Sequence, residues 1–191
     1  LRVLKTPQGK SVKKESLSVI AHPQNSGIKI TTPGNGCIVM TSQTLTVTLN
    51  PQTGIITYAK PNGDTLLIEQ ENVKAFTPIN DAGRSTYSVY QGFTTSKEEG
   101  LYGLGQLQNG QMMQRDITKH LVQSTKGYGV FWDNYSGTTY TDNEQETSFR
   151  SEIGDCIDYY FMYGGSADGV IAEVRALTGD VPMMPLWSYG F

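Results

Sequence analysis

The sequence of 191 residues lacks the features by which membrane proteins and nucleic-acid-binding proteins are usually identified. It has no run of about 18 or more apolar residues, so no segment is expected to cross a bilayer as a helix. Its formal net charge is −3, which leaves no broad basic surface for phosphate backbones. The basic cluster of Lys10, Lys13 and Lys14 lies near the first residue and is interpreted as a solvated arm. We therefore expect neither a membrane nor a nucleic acid as a partner.

Cysteine and histidine are equally scarce, with two residues of each. Cys37 and Cys156 are far apart and match no metal-ligand spacing, so we expect two free thiols. His22 precedes a proline in a cluster of turn residues, where a solvated histidine is the ordinary case. We predict no metal site and no cofactor.

Turn-forming and strand-forming residues are abundant instead. Glycine accounts for 21 of the 191 residues, above the usual frequency of about 7%. Within 44–49, leucine and valine alternate with threonine, which predicts a strand with one buried face. Short turns containing proline and glycine connect it to two further strands, 55–58 and 65–68. Turns this short join antiparallel neighbours, because a parallel return needs a crossover of about a dozen residues or more.

Further strands are predicted along the rest of the chain. They are 17–21 paired with 28–30 as a hairpin, 87–90, 91–93, 128–132, 138–140, 148–150 and 157–163. Residues 108–123 are interpreted as a long loop. The glycines of 101–106 lack the third glycine and the following helix of a phosphate-binding fingerprint, so we expect a bulge or a closely packed strand there.

One amphipathic helix is predicted near the end of the sequence. Ser166 suits its N-cap, and Gly179 suits the position after its last turn. Between them apolar residues recur at steps of three and four, which gives a single stripe that can pack against one surface. About ten strands and one helix predict an all-β antiparallel sandwich with the helix outside it.

Acidic residues are the first candidates for chemistry, because hydrolysis of glycosidic bonds uses paired carboxylates. Six of them cluster in the sequence: Asp133, Asp142, Glu144, Glu146, Asp155 and Asp158. Acidic residues in turns between strands are mostly solvated turn formers, so we assign no catalytic residue.

Five segments occur in a recognisable order and spacing. They are 101–106 (LYGLGQ), 127–134 (GYGVFWDN), 158–161 (DYYF), 177–179 (LTG) and 182–191 (PMMPLWSYGF). Together they closely resemble the N-terminal region of glycoside hydrolase family 31, and residues 126–134 are most similar to bacterial α-xylosidases, with α-glucosidases next. The resemblance covers essentially the whole chain and is strongest from Leu101 onward.

The resemblance implies a galactose-mutarotase-like β-sandwich in residues 1–180 and a connector in residues 181–191. In the family, such a connector leads into a (β/α)8 barrel, which carries an aspartate nucleophile and an aspartate acid/base. Neither catalytic motif occurs in this sequence, and the apolar residues at 181–191 lead us to expect a large further segment after Phe191. The implied function is that of a non-catalytic domain of a retaining α-glycosidase, which hydrolyses terminal α-linked xylose or glucose in oligosaccharides. We expect a periplasmic or secreted bacterial protein.

The sequence differs from many members of the family at 107–125. The corresponding segment is longer in those proteins, and in some of them it helps to shape the sugar subsites. Arg115, Asp116 and His120 can make charged or bidentate hydrogen bonds, so they are the residues expected to bind the oligosaccharide. A solvated loop is the competing interpretation, and we expect 107–126 to be the most mobile part of the isolated domain.

Two other functions stay open at this stage. An independent carbohydrate-binding module would present aromatic rings such as Trp132, Tyr135 and Tyr140 as an exposed, coplanar platform. We expect Trp132 to be mostly buried, which would argue against that function. A mutarotase-type epimerase would instead need acid and base side chains that converge in a cleft of the sandwich.

Overall fold

A computed structural model describes residues 1–22, 27–71, 74–105 and 120–190. Within these ranges the chain forms two antiparallel β-sheets and one α-helix. The predicted all-β sandwich with a C-terminal helix is therefore confirmed. No helix of the described ranges is long and apolar enough to span a membrane.

Within the described ranges, sheet A has five strands in the order β1-β14-β11-β10-β9. Sheet B has nine strands. Eight of them follow the order β12-β13-β8-β6-β5-β4-β3-β2, and the ninth, β7, pairs with β8 outside this order. The strands are β1 (Arg2–Lys5), β2 (Lys29–Thr31), β3 (Ile38–Thr41), β4 (Thr46–Leu49), β5 (Ile56–Ala59), β6 (Thr65–Glu69), β7 (Phe76–Asp81), β8 (Arg84–Thr94), β9 (Leu101–Gly103), β10 (Leu121–Ser124), β11 (Tyr128–Trp132), β12 (Thr138–Asp142), β13 (Thr147–Ser151) and β14 (Ile157–Tyr163). The helix, α1, is Ala167–Thr178, and a 3₁₀ turn follows at Leu186–Tyr189.

The predicted meander is confirmed as β4, β5 and β6 of sheet B. Val47 lies opposite Tyr58, and Tyr58 lies opposite Leu67. Directly opposite residues of an antiparallel pair point to the same face, so these three side chains face the core together. All three are buried, as the alternation in 44–49 predicts.

The predicted hairpin between 17–21 and 28–30 is wrong. Residues 17–21 form no strand, and β2 pairs with β3 instead. The amides of Ile20 and Ala21 donate to the carbonyl of Leu177, at 3.0 and 3.1 Å. Carbonyl groups in the last turn of a helix have no partner within the helix, so α1 offers this segment an acceptor that its own sequence does not reveal.

The interpretation of 108–123 as one long loop is also wrong at its end, because Leu121–Ser124 form β10 between β9 and β11. Residues 106–119 lie outside the described residues. Of the two structures predicted for 101–106, a bulge or a closely packed strand, the strand is found at Leu101–Gly103, which form β9. At Gly103, where φ is +129°, a Cβ atom would lie 2.4 Å from the carbonyl oxygen of Leu121, so only glycine fits this approach.

Helix α1 has the predicted caps. The side chain of Ser166 accepts a hydrogen bond from the amide of Gly169, and the amide of Gly179, whose φ is +90°, donates to the carbonyl of Arg175. The helix contacts β10, β11 and β14 of sheet A, and Val170 is its one fully buried residue. The helix thus packs against a single sheet, as predicted, but Ile171, which belongs to the predicted apolar stripe, is 42% exposed.

Aromatic rings fill the space between the two sheets. Tyr58 of sheet B stacks on Phe161 of sheet A with ring centroids 3.9 Å apart. Trp132 stacks on Phe149 at 5.2 Å and donates its indole N–H to Ser151 Oγ at 2.8 Å. These aromatic contacts join the two sheets through the core.

Candidate functional site

Two of the three predicted sugar-binding residues, Arg115 and Asp116, lie outside the described residues. His120 immediately precedes β10, is half-buried, and its carbonyl accepts a hydrogen bond from the amide of Trp132 at 2.7 Å. Its Nε2 atom is buried without a hydrogen-bond partner among the described residues. Burial lowers the pKa of His120, and the Trp132 carbonyl and the Asp133 carboxylate partly offset this effect. The imidazole is therefore a neutral group at neutral pH.

Two of the six clustered acidic residues are buried, so their interpretation as solvated turn formers is wrong. Asp158 accepts hydrogen bonds from Nε and Nη2 of Arg2 at 2.9 and 2.7 Å, and from Nζ of Lys14 at 3.0 Å. Asp133 Oδ2 lies 3.5 Å from the same Lys14 Nζ. Two carboxylates and two cations thus form a compact neutral cluster at the end of sheet A. None of the other four acidic residues is buried.

Lys14 is correspondingly not a solvated residue of the N-terminal arm. Its ammonium group also donates to the carbonyl of Asp133 and lies 4.9 Å from the centroid of the Tyr135 ring. Lys10 and Lys13 are exposed, as predicted. Lys14 therefore holds residues 10–14 against the sandwich, because its partners are buried carboxylates.

Glu69, at the end of β6, is the centre of a second buried polar cluster. Its Oε2 atom accepts hydrogen bonds from Nζ of Lys5 at 2.7 Å and from the amide of Ile56 at 2.8 Å. Its Oε1 atom accepts a hydrogen bond from the hydroxyl of Tyr159 at 2.6 Å, which in turn lies 2.7 Å from the hydroxyl of Tyr58. Lys5 and Tyr159 belong to sheet A, whereas the other residues belong to sheet B. The cluster therefore fastens one sheet to the other.

These clusters are suited to holding the fold rather than to cleaving a glycosidic bond. Retaining glycosidases use two carboxyl groups about 5–5.5 Å apart, one of which attacks the sugar while the other transfers a proton. Four carboxylate side chains in the part of the chain that the structure describes are fully buried, and each faces a cation instead: Glu69, Glu99, Asp133 and Asp158. Nor do the described residues contain a group of three or more His, Cys, Asp or Glu arranged to hold a metal ion.

The paired tyrosines give this cluster a measurable pH dependence. Burial raises the pKa of Tyr58 and of Tyr159 well above the ordinary value, and nearby Glu69 raises both further. A tyrosine whose pKa is higher in the folded than in the unfolded state contributes stability that is fully present below about pH 10. This contribution is lost as the pH rises above that value. We expect the free energy of unfolding to fall above pH 10 by about 1.4 kcal/mol per pH unit for each buried tyrosine.

Urea unfolding between pH 8 and 11 measures this slope. The double variant Tyr58→Phe/Tyr159→Phe should have a shallower alkaline slope than the unaltered chain. Tyr135→Phe, at a half-exposed tyrosine, is the matched control. Equal slopes in the double variant and the unaltered chain would contradict the assignment.

A groove of about 640 Å³ opens at the edge of the sandwich. It is lined by Leu1, Ala21, Ile28, Met40, Ser42, Gln43, Thr44, Leu45, Val47, Tyr160, Phe161, Met162, Tyr163, Glu173, Ala176 and Leu177. Glu173 is its one carboxylate, and neither histidine lines it. An epimerase site needs an acid and a base that converge on the sugar, so this groove gives the epimerase alternative no support.

The aromatic residues considered for a sugar-binding platform are not exposed together. Trp132 has an exposed fraction of 0% and Tyr140 of 4%, whereas Tyr135 is 51% exposed. The predicted burial of Trp132 is confirmed. These three side chains therefore form no common solvent-facing platform, and the independent binding module loses the observation that favoured it.

Comparisons with known proteins agree with this fold. No protein-family model matches the sequence. An α-xylosidase of Saccharolobus solfataricus is 32% identical over 212 aligned residues, which span 100% of this chain and 28% of that protein. The GH31 α-xylosidase of Xanthomonas citri superposes with a TM-score of 0.83 at 18% identity, over 99% of this chain and 38% of that structure. The chain belongs to glycoside hydrolase family 31. A family 31 dextranase of Flavobacterium johnsoniae superposes with a TM-score of 0.78 at 21% identity, over 100% of this chain and 26% of the other.

The family 31 chain thus spans between about a quarter and two-fifths of the length of these relatives.

Sequence reasoning missed the polar clusters of this domain because their partners are distant in sequence. Lys5 and Glu69 are 64 residues apart, and Lys14 and Asp158 are 144 apart. One local signal was available at Glu69, a carboxylate that closes the otherwise apolar strand Thr65–Glu69.

Proposed function

We propose that this chain is a non-catalytic domain of a retaining α-glycosidase that hydrolyses terminal α-linked xylose or glucose in oligosaccharides. The observation that carries the proposal is the alignment with the Saccharolobus solfataricus α-xylosidase, which runs through the whole chain at 32% identity. An α-xylosidase of Lactiplantibacillus pentosus supports it at 26% identity over 76% of the chain. The chain is a minor part of both relatives, so the remaining part of such a protein is available to carry the chemistry.

The state of the carboxylates supports the non-catalytic role. The buried ones among the described residues are already paired with Arg2, Lys5, Lys14 and Lys126. Removing a cation to free one of them for catalysis would leave an uncompensated buried charge, which costs about 3–5 kcal/mol. A catalytic pair of carboxylates on another domain avoids this loss of stability.

In this proposal residues 1–180 form the sandwich domain, and residues 181–191 connect it to a (β/α)8 catalytic barrel of the same polypeptide. The exposed side chains of the connector support this division. Val181, Met183, Leu186 and Trp187 are each at least 80% exposed in the domain by itself. Apolar side chains exposed in such a run mark a surface that packs against a partner.

We also propose that Arg115, Asp116 and His120 contact the oligosaccharide. The position of His120 immediately before β10 supports this, because its ring nitrogen Nε2 has no hydrogen-bond partner among the described residues. Neutral imidazole and charged guanidinium groups are both suited to binding sugar hydroxyls.

The test is to assay this chain and the full-length protein against p-nitrophenyl α-xyloside and α-glucoside. We expect no turnover by the 191-residue chain, and turnover by the full-length protein with retention of the anomeric configuration, followed by NMR. Turnover by the shorter chain that survives repurification would place the catalytic groups within these residues and overturn the proposal. A full-length protein that releases neither sugar would overturn the proposed substrate.

A further inference from the structure

Another groove, of about 540 Å³, opens beside Tyr135. Three segments that are distant in sequence form it: 12–15 near the N-terminus, 134–136 after β11, and 153–156 before β14. We call it the Tyr135 groove. Its volume lies within the range of about 300–1,000 Å³ that is typical of sites for small ligands. The groove is therefore large enough to be examined as a binding site.

The ring of Tyr135 is held in place without a ligand. Its hydroxyl accepts a hydrogen bond from the amide of Leu17 at 2.6 Å and lies 3.4 Å from Oγ of Ser16. The ammonium of Lys14 lies over the ring, 4.9 Å from its centroid, and is itself bonded to the buried Asp158 at 3.0 Å. Tyr135 is nevertheless 51% exposed, which leaves much of the ring for contact with a ligand. A ring that is already oriented loses little freedom when a ligand binds.

The charges along the groove balance one another. Two lysines, Lys13 and Lys14, and two carboxylates, Glu15 and Asp155, belong to its lining. Lys14 and Asp155 already have partners of opposite charge. Lys13 and Glu15 are exposed, and neither forms an ion pair with another described residue. The groove thus presents an ammonium that donates and a carboxylate that accepts, and it favours neither an anion nor a cation.

A neutral sugar ring suits these groups. Its C–H groups can pack against the negative face of the tyrosine ring, and its hydroxyls can both donate and accept. An apolar ligand would instead cover Lys13 and Glu15 without replacing their hydrogen bonds to water, which is unfavourable. We propose that the Tyr135 groove binds a neutral pyranose unit, which stacks on Tyr135, donates to Glu15 and accepts from Lys13.

A single ring is sufficient for such a site, so the burial of Trp132 and Tyr140 does not affect it. The site also differs from the sugar contacts proposed above, and it does not depend on them. What it adds is a sugar position that is built entirely from residues that the structure describes.

Acetylation of lysines in the full-length protein tests the site. The protein is treated with an N-hydroxysuccinimide ester, with and without methyl α-xyloside or methyl α-glucoside, and acetylated peptides are quantified by mass spectrometry. A sugar concentration of about 10 mM fills a site of millimolar affinity to about nine-tenths, so we expect Lys13 to react at least about threefold more slowly. Lys97 is exposed and distant from the groove lining, and it should react at the same rate throughout.

Two variants locate the sugar on the tyrosine. Tyr135→Ala should abolish the protection of Lys13, whereas Tyr135→Phe keeps the ring and should keep the protection. Should Tyr135→Ala fold poorly, Glu15→Gln at an exposed residue gives a second measurement. It removes a charged acceptor, so we expect the sugar concentration for half protection to rise by at least about threefold.

An unchanged rate at Lys13 with either sugar would overturn the proposal, and so would a Lys13 that is unreactive without sugar, because the groove would then be closed. Protection by inorganic phosphate but by neither sugar would identify an anion site and overturn it as well. Protection that persists in Tyr135→Ala would place the sugar elsewhere, with the same consequence. The readout is independent of hydrolysis, so an active enzyme without protection at Lys13 separates failure of this site from failure of the proposed function.

Discussion

Replacement of Glu69 by alanine is expected to lower the free energy of unfolding by about 3–5 kcal/mol. The substitution removes the acceptor for Lys5, Tyr159 and the amide of Ile56, which lie 2.6 to 2.8 Å from its carboxylate oxygens. It leaves a buried amide and a buried hydroxyl without their partner, and the loss of a partner costs more than the net contribution of the bond. Urea unfolding at pH 7, followed by circular dichroism, measures the change.

Two variants separate the role of the charge from that of the contacts. Glu69→Gln keeps the length of the side chain and one acceptor oxygen, so we expect a smaller loss than for alanine. Asp64→Ala removes an exposed ion pair with Lys60, whose charged atoms are 3.7 Å apart, and should change stability by no more than about 0.5 kcal/mol. If Glu69→Ala were no more harmful than Asp64→Ala, the cluster would not fasten the two sheets.

Substitution of Gly169 by alanine should destabilise the domain although it favours the helix. Alanine is intrinsically better than glycine inside a helix by about 1 kcal/mol. A Cβ atom at this position would lie 2.1 Å from the carbonyl oxygen of Gly164, however, which is an overlap with backbone. Such overpacking costs about 1–3 kcal/mol or more, so we expect the overlap to outweigh the propensity and α1 to be displaced.

Thermal unfolding of Gly169→Ala beside Gly34→Ala measures this competition. Gly34 has open space around the position of a Cβ atom, so its substitution should leave the melting temperature nearly unchanged. A melting temperature for Gly169→Ala at or above that of the unaltered chain would mean that α1 can move away from Gly164 at little cost.

Elements whose signals are local could be predicted from the sequence. The alternation of 44–49 predicted β4. Ser166 and Gly179, which flank the apolar stripe, predicted the two ends of α1. Residues 17–21 were misassigned because an apolar, β-branched run has no local feature that tells a strand from a segment bound to a helix end. Strand β10 was missed because two apolar residues are followed by two polar ones in its sequence, LVQS, which shows no alternation.

The polar clusters were beyond local reasoning for a different reason. Lys14 resembles any surface lysine, and Asp158 stands in an aromatic strand without a neighbouring cation in sequence. Each is interpretable only with the other, since a charge becomes tolerable in the interior when its partner comes with it. The pairing of β1 with β14 brings Arg2 to Asp158, and the segment that follows β1 places Lys14 beside the same carboxylate; no short-range pattern encodes either contact.

The pairing of β1 with β14 also affects the order in which the two sheets can form during synthesis. Arg2 is bonded to Asp158, which lies 156 residues further along the chain, so β1 leaves the ribosome well before β14, the strand with which it pairs. At synthesis rates of about 5–20 residues per second, the interval is on the order of ten seconds or more. Meanwhile the meander of sheet B can form from neighbouring strands, because its contacts are short-range and close quickly. A nascent chain that has not yet emerged past Tyr163 therefore lacks a finished sheet A, and its aromatic core stays open to chaperones until that strand arrives.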